Sequence, residues 1–450
     1  MSDPCWLGVA GLAKAYRTGS LRPTDLTEAL IARIDRLEPA LHAFIALDRE
    51  ALRADARAAD AVFAHNGDPA PLTGIPIGIK DVIDVAGFTT TCHSAILEHA
   101  PPATLDAAVV THLRRAGATI AGKLATHEFA IGGPAFDLPF PPARNPWNVA
   151  HHPGGSSSGA GTAVAGGLLP GAIGTDTAGS VRNPASACGI VGLKPTRGVV
   201  PTKGVFPLAP SLDHVGPLAR CVDDVALLFA AMTAQKIRSG MPGKIEDVRI
   251  GVVRHFHERD MPCDDAVAAA FEAAVSVLAR LGARIVPIDL APLNDFADVT
   301  RAVMQAEGFA VHRAWMRARP GDYCAITRRT LLPGAFLSAD ALATALRLRA
   351  ALFANVEDTF AGVDILLTAS SMTPACRIDD PAEIARTYMR NARAPFNLTG
   401  HPALAMMAGL SPDGLPLSIQ FAARRHQEAL LLNVAAAYEQ AMGGPRRPPI

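Results

Sequence analysis

The chain is predicted to be an α/β protein, and three observations lead there. Helix-like and strand-like segments alternate along most of its 450 residues. A compact β-α-β signal spans roughly residues 248–288. Hydrophobic residues make up 49% of the chain but aromatics only 5%. The core is therefore built from Ala, Val, Leu and Ile, with turns supplied by 38 glycines and 36 prolines.

Pro23-Thr24-Asp25 offers a helix start, and Leu26, Leu30, Ile34 and Leu37 recur at helical spacing. Residues 21–64 thus read as helical, with a short strand at 43–47 and an Ala/Arg/Asp-rich helix at 51–63. In 71–81, apolar residues alternate with Gly and Pro, as in a short buried strand. A helix is expected at 107–115, a strand at 118–122 and a helix at 222–232. Polar residues with Gly and Pro at 233–246 make that segment the best linker candidate. The β-α-β unit places strands at 248–253 and 283–288 around a helix at 264–281. Residues 295–360 read as mostly helical, strands are expected at 363–368 and 415–422, and 427–442 closes the chain as a helix. Residues 132–204 are dominated by Gly, Pro, Ser and Thr. Inside a globular chain such a stretch marks a built site rather than a linker.

Composition also excludes. Lys+Arg and Asp+Glu are both 42, so net charge is zero, against a general nucleic-acid binder. The seven cysteines are scattered and contain no C-x-x-C pair, which disfavours disulfides or zinc and fits a reducing, cytoplasmic location. The start Met1-Ser2-Asp3-Pro4 lacks a signal-peptide pattern, and no uninterrupted apolar run suits a membrane.

The chemistry concentrates in Gly154-Gly155-Ser156-Ser157-Ser158-Gly159 and Asp176-Thr177-Ala178-Gly179-Ser180-Val181-Arg182-Asn183-Pro184, with Lys80 upstream in Gly78-Ile79-Lys80-Asp81. Ser156 and Ser180 stand 24 positions apart. A serine hydroxyl needs a base. A lysine can be one only when neutral, and burial lowers its pKa. Lys80 follows Ile75, Ile77 and Ile79 in a segment that reads as buried.

These motifs, in this order and spacing, resemble the amidase signature family of serine hydrolases. Cys188 to Thr196, Ser211 to Pro217 and Phe396 to Ala403 continue the resemblance, which is weakest between about 233 and 360. It implies a large mixed, twisted β-sheet covered by helices on both faces. It also implies one domain over 1–450, with a core at about 70–232 and 361–442 and a variable, substrate-facing segment at about 233–360. By the same resemblance Ser180 is the nucleophile, Ser156 the cis-peptide relay and Lys80 the base. The amides of Thr177, Ala178, Gly179 and Ser180 form the oxyanion hole. Ala178 stands where many members have Gly, which leaves the backbone donor in place. Asp176, Arg182 and Ser157 are supporting residues, and Ile131, Gly132, Gly133, Pro134 and Phe136 are substrate-binding candidates. No cofactor or metal is implied, and a homodimer is a candidate assembly.

The expected activity is hydrolysis of an amide, with carbamate (urethane) and ester bonds as related targets. The apolar run 134–140 leans toward a neutral, hydrophobic small-molecule substrate. Arg317, Arg319, Arg328 and Arg329 are the alternative, as binders of an acidic one. The second reading is transamidation of a tRNA-linked substrate within a larger complex, as performed by an A-type amidotransferase component of the same family. It is set behind the first because of Ala178, the zero net charge and the lack of a basic tail. A Gly-rich nucleotide-binding module is remote, because Ala160 stands where a phosphate loop needs Lys. His151, His152 and the pair Asp213-His214 are rival catalytic groups by type; His151 and His152 are expected instead to order the loop before Gly154.

Overall fold

The computed structural model describes residues 3–65, 69–233 and 244–450. Among the described residues, eleven strands form one mixed sheet: β1 (Phe44–Leu47), β2 (Pro76–Lys80), β3 (Thr119–Leu124), β4 (Gly171–Asp176), β5 (Val191–Lys194), β6 (His214–Ala219), β7 (Arg249–Val252), β8 (Arg284–Pro287), β9 (Ile365–Ala369), β10 (Ala403–Leu410) and β11 (Pro416–Ala423). Their spatial order is β1-β3-β2-β4-β6-β5-β10-β11-β9-β7-β8. β2 runs parallel to both β3 and β4, and β7 runs parallel to β8 and β9. The remaining pairs are antiparallel.

Every residue of β2, β3, β4, β5 and β6 is buried. A strand covered on both faces has no need of polar alternation, so these segments read as continuous rather than alternating. The expected strands at 43–47, 71–81, 118–122, 248–253, 283–288, 363–368 and 415–422 correspond to β1, β2, β3, β7, β8, β9 and β11. β4, β5, β6 and β10 were not anticipated. Each of them contains glycine, and packing rather than propensity makes them strands. The helical expectation for 295–360 corresponds to Leu293–Ala318, Ala325–Leu331 and Ala339–Thr359. Most of the proposed linker, 234–243, lies outside the described residues.

The glycine excess has a packing cause. Helix Ser158–Ala165 is buried along its whole length. A Cβ on Gly159 would stand 2.3 Å from the Ala43 carbonyl oxygen, and one on Gly161 2.7 Å from Pro184 Cβ. Small residues thus let this helix approach the backbone just before β1 and the helix Arg182–Cys188. All seven cysteines are free thiols. Among the described residues no single helix is long and apolar enough to cross a membrane.

One sheet position gives a direct test. A Cβ on Gly216 in β6 would sit 2.0 Å from the Leu193 carbonyl oxygen of β5. Gly216→Ala is expected to cost at least about 1–3 kcal/mol, read as a lower urea midpoint at unchanged slope.

Candidate active site

β2 ends at Lys80, and its side chain is fully buried. Its Nζ donates to Ser156 Oγ at 2.7 Å and to Thr175 Oγ1 at 2.7 Å. Neither partner is an anion. Burial therefore dominates and pushes the Lys80 ammonium down to about 7, against a smaller upward pull from Asp176, Asp213 and Cys92. A lysine so placed is neutral for much of the time near physiological pH and can accept a proton. The Gly155–Ser156 peptide is cis, the form the resemblance implies. The Ser156 carbonyl accepts the His127 N–H at 3.1 Å, and the His127 ring fills the space a side chain on Gly155 would need.

Ser180 sits on the loop after β4. From residue 152 to 196, every residue is buried except Ala178 and Ser180. The surrounding structure thus opens to solvent at the proposed nucleophile and its neighbour. Ser157 ties this loop to Ser156: its N–H donates to the Ser180 carbonyl at 3.2 Å and its Oγ to the Thr175 carbonyl at 3.2 Å.

Asp176 holds the loop from below. Its carboxylate accepts the amides of Gly179 (2.7 Å) and Val181 (3.1 Å), Asn397 Nδ2 (2.8 Å), and Arg182 Nε and Nη2 at 3.0 Å each. Burial alone would raise this carboxyl. Arg182, Lys194 and Asn397 overcome that and hold it well below the usual carboxylate range. Arg182 in turn donates to the Arg393 carbonyl (2.9 Å), to Gln420 Oε1 (2.5 Å) and to Asn397 Oδ1. The expected oxyanion hole needs one correction. The Gly179 N–H is taken by Asp176 and is not free for an oxyanion. The amides of Thr177, Ala178 and Ser180 have no protein acceptor among the described residues.

Of the expected substrate contacts, Ile131 is a buried core residue. Gly132, at φ +73°, and Gly133 lie against Ile326, where added Cβ atoms would come within 3.1–3.3 Å. Gly133 and Pro134 line a small cleft with His93, His127 and Leu138. Phe136 is 55% exposed, with the Arg144 guanidinium 5.4 Å from its ring centroid. That is a surface stack rather than a pocket wall. The segment 324–326 does reach this region: Cys324 N–H donates to Glu128 Oε2 and Ala325 N–H to Asp137 Oδ2. Two of the nearby arginines are used locally, Arg319 on Asp322 and Arg328 on the Pro320 carbonyl.

The rival histidines are placed in supporting contacts. Asp213 accepts Thr177 Oγ1 at 2.6 Å, while His214 Nδ1 lies 2.6 Å from the Leu212 carbonyl. His152 Nδ1 accepts the Gly154 N–H at 3.0 Å, the loop-ordering part expected for this histidine. Sequence reasoning missed Thr175, Asn397, Gln420 and Arg393. Thr175 and Asn397 lie inside recognised motifs and were readable there. Gln420 and Arg393 carry no local signal.

Comparison with known proteins gives a consistent result. The family model described as Amidase matches residues 25–432. The chain is 37% identical to the A-type subunit of the glutamyl-tRNA(Gln) amidotransferase from Roseiflexus castenholzii, covering 96% of this chain and 95% of that one. Two solved structures match closely. One is a vestigial protein complex bearing on the evolutionary origins of an s-triazine catabolic enzyme, at TM-score 0.90 and 29% identity over 99% and 100% of the two chains. The other is the peptide amidase of Stenotrophomonas maltophilia, at TM-score 0.84 and 28% identity over 98% of each.

The ion pair under the loop sets its own test. Asp176→Asn leaves the Arg182 cation buried without its counter-charge. A loss of roughly 3–5 kcal/mol is expected, measured by urea unfolding monitored with far-UV circular dichroism.

Proposed function

The chain belongs to the amidase family, and on that premise we propose that it cleaves carboxamide C–N bonds through an acyl-enzyme on Ser180. The observation that carries this reading is the buried Lys80 Nζ, 2.7 Å from Ser156 Oγ and without an anionic partner among the described residues. It lies beneath a loop on which Ser180 reaches solvent.

Neutral Lys80 takes the Ser156 hydroxyl proton, and Ser156 takes that of Ser180 as Ser180 Oγ bonds to the carbonyl carbon. The resulting oxyanion is met by free amides among Thr177, Ala178 and Ser180. The C–N bond then breaks. The amine leaves with a proton returned through Ser156, and Lys80 is neutral again. Water repeats the sequence on the ester and releases the acid. Carbamates and esters offer a carbonyl to the same nucleophile, so they belong to the same test panel.

A second reading is favoured by the curated relatives: that the chain performs this cleavage as the A-type component of an amidotransferase, handing ammonia to a partner. One Ala in place of Gly and the zero net charge speak against it. Identity of 37% across nearly the whole chain outweighs both. The two readings share the Ser180 chemistry. They separate on whether the purified chain alone turns over simple amides, or does so only with a partner.

Ser180→Ala is expected to reduce amide hydrolysis by on the order of 10⁴-fold or more. Labelling by a fluorophosphonate probe should be lost with it. Lys80→Ala should slow labelling by about 10²–10⁴-fold. Retained labelling in Ser180→Ala would defeat the assignment.

The base must be deprotonated to act, and burial lowers its pKa to about 7. kcat/KM is therefore expected to rise with pH through neutrality and level off above it. A rate that climbs only near pH 10 would mean that Lys80 is not desolvated in the working enzyme.

A further inference from the structure

Arg393 is a buried cation without an anion. Only 2% of it is exposed, and it forms no ion pair among the described residues. Its Nη1 donates to the Ser370 carbonyl (3.1 Å), Ser370 Oγ (3.1 Å) and Ser371 Oγ (2.8 Å). Nε and Nη2, the edge of the guanidinium that suits a two-point contact, have no protein acceptor among the described residues. The nearby acid, Asp176, is already taken by Arg182, which is itself a like charge beside Arg393. Burial, followed by that like charge, pushes Arg393 down to about 9. A desolvated charge normally has a partner, and no protein group among the described residues supplies one here.

The location points to the substrate. A side chain on Gly179 would collide with Arg393, its Cβ falling 2.9 Å from both Cδ and Nε. The arginine therefore lies directly against the residue before Ser180. It lines a small cleft with Arg390, His152, Asn183, Ser371 and Tyr388, and no Asp or Glu is among the residues lining that cleft. His152 is held neutral, since burial lowers it to about 3. Arg390 donates from Nη2 to the Pro262 carbonyl, so the Arg393 guanidinium is the cation that the residues lining this cleft leave without a counter-charge. Anchoring Ser370 and Ser371 uses Nη1 alone and does not require the other edge.

We propose that Arg393 receives a carboxylate carried by the substrate close to its scissile carbonyl, so that the preferred substrate is an anionic amide. A planar guanidinium fork matches a carboxylate at two points. This inference rests on Ser180 as the nucleophile and replaces the neutral, hydrophobic substrate expected from the 134–140 run. That run places its Phe136 at the surface instead.

The test uses matched pairs on the purified full chain: malonamate against acetoacetamide, and succinamate against levulinamide. Each neutral member carries a methyl ketone in place of the carboxylate. Wild type is expected to favour the anionic member of at least one pair by roughly 30-fold or more in kcat/KM. Succinate or malonate should compete with it. In Arg393→Gln that preference should fall below about 3-fold, chiefly through KM, while Arg393→Lys should restore part of it. Calorimetric binding of malonate and succinate to wild type decides the matter if Arg393→Gln fails to fold. No anionic preference, together with no dicarboxylate binding, overturns the proposal. Equal losses on both members of a pair in folded Arg393→Gln also overturn it, because they mark a role in the oxyanion loop. Failure of the underlying reading looks different: Ser180 goes unlabelled by fluorophosphonate while dicarboxylate binding is unaffected.

Discussion

Asp176 and Arg182 meet at 3.0 Å with neither side chain reaching water. Two opposite charges in such a place are tolerable only if nearly every lone pair and N–H is used. The surroundings meet that demand. Asp176 takes up amides of the serine loop, and Arg182 donates to the Arg393 carbonyl, to Asn397 and to Gln420 of β11. The loop that presents Ser180 is therefore not shaped by its own sequence preferences. It is shaped by the requirement that this ion pair be satisfied. The two residues of the loop that reach solvent do so because their neighbours are all drawn inward.

Desolvation is the second common cause. The same burial that frees Lys80 of its proton keeps His127 and His152 uncharged. It leaves Asp176 charged only because cations and donors surround it. Around the serines, charge is thus sorted by partner: groups with a counter-ion keep it, and most without one lose it. Arg393 is the exception. Its guanidinium holds a proton too tightly to discard it at neutral pH, even when burial lowers its pKa to about 9.

Much of the site was legible in the sequence because its parts are local. Gly154–Gly155–Ser156 and Gly179–Ser180 are short segments whose backbone needs dictate their composition, and Lys80 follows an apolar run that announces burial. The strands flanking them were less legible. β4 and β6 contain glycine or proline, which weigh against a strand when read alone. They become strands because their neighbours leave no room for anything else. The polar residues that complete the site, Gln420 and Arg393, lie more than 200 positions from Arg182 and sit in unremarkable local sequence. Proximity across that separation is a property of topology, and no motif encodes it.

That separation has a consequence for how the molecule comes into being. The sheet interleaves early and late segments, with β5 lying against β10. Arg182 closes its hydrogen bonds on Gln420, 238 positions downstream. A chain emerging from the ribosome therefore exposes both serines and the lysine long before the residues that brace them exist. Long-range contacts of this kind are slow to form. Nucleophilic competence is in this sense a late event in biosynthesis, conferred when the last strands insert between those made first.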